Sequence, residues 1–309
     1  MTNVVSPIRP MLAASIESSE DLAKLEFPVL VSPKLDGFRC LTDTNGTPYT
    51  RKGLPFENSK VDEIFKEAGV SSHLDGELGV GDPTDLKFFT KSSSACRRDG
   101  FEPEEGFTYY IFDFVGVVPY NQRLKIIATD NIKQTERLRC VIVPQHLCHG
   151  VEEVAKWEKH YQALGYEGVM VRGALDVKPY KHGRASVKSQ ELFKWKRFAD
   201  TEGTIIDLIE GTVNNNEAKK DALGHTKRSS SKAGKAPSGR IGTLVVQSNQ
   251  FEKPVRIGTG IGLDDELRKA MHKNPEKYIG RIVTFTYQEG SDYENARFPS
   301  FKGFRDDGA

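Results

Sequence analysis

The order of apolar and polar positions divides the chain into two stretches of different character. From residue 28 to about 198, short apolar runs rich in β-branched and aromatic residues alternate with polar connections. PVLVSPKLDGFRCLTD (28–43), HLDGELGV (73–80), FTYYIFDFVG (107–116), EGVMVRG (167–173) and ELFKWKRF (191–198) carry this pattern among Gly and Pro breaks, which predicts strands. Helical spacing lies between them at 21–26, 60–68 and 151–164, the last setting Val154, Trp157, Tyr161 and Leu164 on one face. Strands and short helices in this irregular order predict an α+β domain rather than a doubly wound sheet.

The pattern changes after Asp200. GTIIDLIEGTV (203–213), GRIGTLVVQS (239–248), KPVRIGTG (253–260) and RIVTFTYQEG (281–290) read as closely spaced strands punctuated by Gly, with one helix at 264–274. Several short strands around one helix predict a small five-stranded barrel of the oligonucleotide-binding (OB) kind. The expected division is therefore 1–200 and 201–309. One segment, 214–240, has almost nothing apolar to bury, which predicts a loop or a solvated hairpin. It carries seven Lys or Arg against two acids, enough to grip phosphates as a basic arm, although a disordered insertion would have the same composition.

Composition adds little beyond this local clustering. With 44 basic and 43 acidic side chains in 309 residues, the net charge is +1 and does not by itself indicate a nucleic-acid partner. The four cysteines (Cys40, Cys96, Cys140, Cys148) show no CxxC spacing, and reduced thiols are expected. Neither a signal peptide nor an apolar run of membrane-spanning length is evident, which predicts a cytoplasmic protein without a membrane role.

The chemistry is carried by the apolar runs. In SPKLDGFR (32–39) a lysine at a strand end is followed by Asp-Gly, a turn that presents the amine of Lys34 into a cleft. A lysine is a covalent nucleophile once its amine is neutral. The pattern is short, and a surface lysine before an ordinary turn would look the same. Asp75 and Glu77 share one strand face, as do Lys194 and Lys196, while Glu167 opens another strand. A solvated strand face explains each of these alone. Together they supply a nucleophilic amine, acids able to hold Mg²⁺ and a lysine pair for a polyphosphate, the parts that nucleotidyl transfer needs.

In this order KLDGFR, DGELG, YYIFDF, EGVMVR and FKWKRF resemble motifs I, III, IIIa, IV and V of the covalent nucleotidyltransferases, comprising DNA ligases, RNA ligases and mRNA-capping guanylyltransferases. FTYYIFDF, YKHGR, LGHTKRSSSKAGK and RFPSFKGFR are similar to the small ATP-dependent DNA ligases of viruses, the algal-virus type above all. The likeness runs from about residue 8 to 305. It implies a nucleotidyltransferase (ATP-grasp-like ligase) domain followed by an OB-fold barrel, with 214–240 as a latch that is mobile until it meets DNA.

The resemblance also implies roles. Lys34 would take AMP from ATP, with Ser32 in the same motif, and Arg39 and Glu77 would lie near the nucleotide, Glu77 accepting from a ribose hydroxyl. Phe112 would stack on adenine. Glu167 would sit by the catalytic Mg²⁺ (Mn²⁺ as substitute), with Glu77 as a second metal-side acid, and Lys194 and Lys196 would hold phosphates. Arg51, Lys52 and Arg184 would contact the nicked strand, and Lys227, Arg228, Lys232 and Lys235 would do so from the latch. Arg297 and Arg305 would orient the leaving pyrophosphate. The expected partner is nicked duplex DNA, sealed in replication, repair and recombination by a monomer that needs no obligate protein partner. An RNA ligase or a guanylyltransferase is the alternative reading, against which the latch-like segment and RFPSFKGFR argue. The NAD-dependent ligases are expected to be excluded, because their cysteine zinc site and helix-hairpin-helix repeats have no counterpart here.

Overall fold

A computed structural model of the chain describes residues 9–305 except 17, 131, 175–177, 187, 221–223, 225, 259, 289–293 and the side chain of Lys227. The chain forms two compact units, Met1–Lys196 and Arg197–Ala309.

In chain order the first unit contains β1 (Met11–Leu12), β2 (Ala14–Ile16), α1 (Ser19–Ala23), β3 (Val29–Pro33), β4 (Phe38–Thr42), β5 (Pro48–Thr50), α2 (Ser59–Ala68) and β6 (Leu74–Gly79). It continues with α3 (Phe88–Arg97), β7 (Phe107–Phe114), α4 (Tyr120–Ala128), β8 (Leu138–Ile142), β9 (His146–Cys148), α5 (Val151–Ala163), β10 (Val169–Gly173), β11 (Gly183–Arg184) and β12 (Phe193–Trp195). Two five-stranded sheets result, β2-β12-β10-β3-β9 and β5-β4-β6-β7-β8. The run at 28–43 is thus two strands in different sheets, and residues 34–37 cross between them. Pro33, which has no N–H for a ladder, ends the first.

Each sheet buries one face. Val29, Val31, Val169, Val171, Phe193 and Trp195 pack under α1 and α5 in the first sheet. In the second sheet Cys40, Leu74, Leu78, Tyr109 and Ile111 pack against α2 and α3. Helix α2 follows from its sequence. The Asn58 side chain caps its first turn, Gly69 ends it in the left-handed region, and Val61, Ile64, Phe65 and Ala68 form its buried stripe. Leu164, expected on the inner face of α5, instead caps the end of that helix and is 50% exposed. Helix α3, absent from the periodicity, holds a buried Ser92 whose hydroxyl donates to the Phe88 carbonyl (2.6 Å) and accepts from Val80 N–H (3.0 Å).

The other faces carry polar groups that join the sheets. Asp75 and Asp113 are direct partners across β6 and β7, and neither is exposed. Asp113 accepts from Arg123 of α4 and Arg172 of β10, both at 2.7 Å. Asp75 accepts from Arg39 (2.6 and 2.7 Å) and from the Tyr180 hydroxyl (2.6 Å). The Arg172–Asp113 pair bridges the two sheets directly.

The second unit contains β13 (Phe198–Asn214), β14 (Ala218–Lys220), β15 (Thr226–Arg228), β16 (Lys235–Gln247), β17 (Val255–Ile257), α6 (Asp265–Lys273), β18 (Ile282–Gln288) and β19 (Ser300–Phe304). The sheet order is β17-β16-β13-β18-β19, and an isolated parallel bridge links Gly260, just after β17, to Phe301 of β19. Phe301 lies so near that a Cβ on Gly260 would stand 2.1 Å from its carbonyl oxygen, so this close approach requires glycine. Ile205, Leu244, Val246, Met271, Val283 and Phe285 fill the interior. β13 and β16 run on beyond the barrel as a ribbon, pairing as far as Asn214 and Lys235, and the β14–β15 hairpin tops it. Among the described residues no helix is long and apolar enough to cross a membrane.

Removing one partner from a buried ion pair leaves a charge uncompensated, at a cost of about 3–5 kcal/mol. Asp113→Ala strands two guanidiniums, so its denaturant midpoint should fall by that equivalent. A midpoint within about 0.5 kcal/mol of the wild type, the usual surface effect, would contradict the bridging role.

Candidate active site

Three strands of the first sheet bring Lys34, Glu167 and Lys196 to one point. The Lys34 N–H donates to the Gly168 carbonyl at 2.8 Å, which pins the end of β3 to the start of β10. Gly168 lies at φ 145°, and a Cβ there would stand 2.4 Å from the Trp195 carbonyl oxygen, so the close approach to β12 requires glycine. The Glu167 side chain, 2% exposed, accepts from the Lys34 ammonium on Oε2 and from the Lys196 ammonium on Oε1. Lys34 itself keeps 20% of its side-chain surface open to solvent.

More positive charge lies around this trio. Burial lowers the Lys194 pKa, and the Lys34, Arg184 and Arg51 charges lower it further. Several cations thus lie close together, an arrangement suited to phosphate oxygens. Arg184 is exposed and donates to the Ala13 carbonyl at 3.1 Å. Arg51 and Lys52 occupy the exposed turn at 50–53, closed by Gly53 N–H donating to the Thr50 carbonyl at 2.8 Å. Ser32 is buried opposite Met170 in the β3–β10 ladder.

The second sheet supplies the other set. Arg39 and Glu77 are partners across β4 and β6. Burial raises the Glu77 pKa to about 7 against the opposing pull of Arg39 and Lys34, and its Oε2 is buried without a hydrogen-bond partner. At Phe112 the β6–β7 register slips, Asp75 facing Asp113 and Gly76 facing Ile111. This bulge leaves Phe112 outside the ladder, with the Arg39 guanidinium 4.8 Å from its ring centroid. Asp75, which shares a strand face with Glu77, accepts from Arg39 and Tyr180. Sequence reading missed this because Tyr180 lies 105 positions away and no spacing links the two.

The remaining residues belong to the second unit. Arg228 donates to the Asn216 carbonyl, and Lys232 and Lys235 are exposed on the arm. The side chain of Lys227 lies outside the described residues. The Arg297 guanidinium lies 5.5 Å from the Phe298 ring, and Arg305 pairs with Glu202 at 2.6 Å.

Known proteins match this architecture over nearly its whole length. Residues 10–196 match the family model of the ATP dependent DNA ligase domain, and residues 234–305 match that of the DNA ligase OB-like domain. The crystal structure of Chlorella virus DNA ligase-adenylate is similar with a TM-score of 0.54 and 27% identity, covering 97% of this chain and 100% of that one. A structure from a study of Lig E DNA ligases shares the fold with a TM-score of 0.66 at 19% identity, over 96% of this chain and 100% of that one. No curated protein matches the sequence. With a family model spanning 10–196, more than half of its 309 residues, the chain belongs to the ATP-dependent DNA ligases.

Proposed function

We propose that Lys34 is the residue through which this ligase passes AMP from ATP to DNA. The family reaction is the sealing of 3′-OH/5′-phosphate nicks through an enzyme adenylate and a DNA adenylate, with ATP and Mg²⁺. The observation that carries the assignment is the position of the Lys34 amine, against the buried Glu167 carboxylate and among the cations Lys194, Lys196, Arg51 and Arg184.

The lone pair of Lys34 Nζ attacks the α-phosphorus, the α–β P–O bond breaks, and pyrophosphate leaves with those electrons. Before attack the amine must lose a proton, and Glu167 Oε2 is the acceptor already in contact with it. Next, a 5′-phosphate oxygen of the DNA displaces Lys34 from the AMP phosphorus. The 3′-hydroxyl then attacks the 5′-phosphorus and AMP departs. Lys194 and Lys196 offset charge on the phosphates throughout.

Among the described residues no three carboxylate, imidazole or thiol groups converge. A Mg²⁺ ion is commonly held by one or two carboxylates together with substrate phosphates. Glu167 and the unpartnered oxygen of Glu77 fit that arrangement, and the ion would supply charge neutralisation at the phosphates. In the same proposal Ser32 lies beside the nucleotide, Arg39 and Phe112 form its base platform, and a ribose hydroxyl donates to Glu77. Arg51, Lys52 and Arg184 take the nick phosphates, and Arg297 and Arg305 take the pyrophosphate. Lys227, Arg228, Lys232 and Lys235 grip the duplex from the arm. In this reading the enzyme works as a monomer on nicked DNA in the cytoplasm, without an obligate protein partner.

Incubation with ATP and Mg²⁺ should add one AMP to the intact protein, and Lys34→Ala should stay unmodified by mass. An adduct that survives Lys34→Ala would overturn the assignment. The raised Glu77 pKa gives a second test. The fold favours the protonated form, so this stabilisation is complete in acid and is lost as pH rises through about 7. Glu77→Gln should therefore gain stability relative to the wild type between about pH 5 and pH 8, read from thermal midpoints; a difference independent of pH would refute the shift. Deleting 219–235 should weaken binding to nicked DNA and flatten its salt dependence while leaving self-adenylylation intact, because arm cations bind through counterion release. Unchanged affinity would identify the segment as an idle insertion.

A further inference from the structure

The base of the arm is tied by polar contacts rather than by an apolar core. Asn214 and Asn216 are half-buried where Thr212, Val213, Asn215, Glu217 and residues 218–220 are exposed. The Asn216 side-chain amide donates to Asn214 Oδ1 (2.8 Å) and to the carbonyls of Ser229 (3.0 Å) and Ser231 (2.9 Å). The Asn214 amide donates to the same Ser229 carbonyl at 2.9 Å, and Asn215 N–H donates to the Gly234 carbonyl at 2.8 Å. Outgoing and returning chains are thus tied at one polar knot where the β13–β16 ribbon meets the β14–β15 hairpin. Gly234 packs directly on it, since a Cβ there would lie 2.2 Å from Asn216 Oδ1.

The knot also fixes cations. Arg228, next to Ser229, donates its guanidinium to the Asn216 carbonyl. Lys232 follows Ser231, whose carbonyl Asn216 holds. We propose that Asn216 is a positioning residue for DNA binding: its hydrogen bonds order the arm in advance, with its cations disposed toward the phosphates of duplex DNA. The proposal rests on the reading that the arm grips DNA. A polar, nearly core-less segment otherwise bears the whole ordering cost at the moment of binding, and that cost subtracts from affinity.

The test compares wild type, Asn216→Ala, Gly234→Ala and the 219–235 deletion, all adenylylated, binding a nicked duplex over a range of salt concentrations. Asn216→Ala should bind roughly tenfold more weakly, as expected for losing several hydrogen bonds of ordinary strength. Its self-adenylylation and its slope of log affinity against log salt should stay at wild-type values, because every cation remains and docks at a higher ordering cost. Gly234→Ala should behave the same way, as it disturbs the knot from the opposite side. The deletion should lower both affinity and slope. If the deletion weakens binding while both point variants bind like wild type, the knot is idle and the arm reading stands alone. A slope in Asn216→Ala as low as the deletion's would also overturn the proposal, since the cations would then fail to dock. If the deletion itself binds like wild type, the arm reading falls and takes this inference with it.

Discussion

Two buried carboxylates facing each other across neighbouring strands are the constraint around which the first unit is built. Asp75 and Asp113 have no solvent to dilute their repulsion, and direct cross-strand like charges are unfavourable. Their coexistence requires cations close by, and the fold supplies three: the buried Arg123 and Arg172 and the partly buried Arg39. Each comes from a different element: Arg39 from β4, Arg123 from α4 and Arg172 from β10. Satisfying the acids therefore fixes the spacing of both sheets and the helix. Such a network is a poor source of net stability compared with apolar packing. Its effect is geometric, because it holds the polar faces of the sheets toward each other where an apolar core would fill the space between them.

The geometry separates two electrostatic settings. Arg39 is neutralised by Asp75 and stands over the Phe112 ring, a flat surface with its charge already balanced. The lysine group is arranged differently: Glu167 accepts from both Lys34 and Lys196, and the positive charges of Lys34, Arg184 and Arg51 act on Lys194. An anion bound among the lysines meets these cations, whereas one placed against Arg39 gains less, because Asp75 already occupies it. In the proposed function this difference would orient a nucleotide with its base toward the aromatic side and its phosphates toward Lys34.

Parts of this were legible in the sequence for simple reasons. Lys34, Glu77, Glu167, Lys194 and Lys196 sit at strand ends or on strand faces, where a period of two decides which way each points. The OB-like unit was legible from its Gly-punctuated strands, although β19, read only as part of RFPSFKGFR, carries the bridge to Gly260. The partners of Asp75 and Asp113 were not legible. Tyr180 and Arg172 reach them over separations of 105 and 59 residues, and nothing local announces a buried pair of that range. Helix α3 was hidden for a related reason. Its inner face includes Ser92, which is buried because the hydroxyl satisfies a strand N–H, not because it is apolar.

The arm shows the opposite limit. Its composition gives no reason to expect order, since there is almost nothing to bury. Its order comes from asparagine amides binding carbonyls thirteen and fifteen residues away, a range short enough to need no core but too irregular to leave a periodic signal. Hydrophobic patterning detects elements that are ordered by excluding water. It is blind to elements ordered by saturating backbone carbonyls, and in this chain those elements carry the arm's cations.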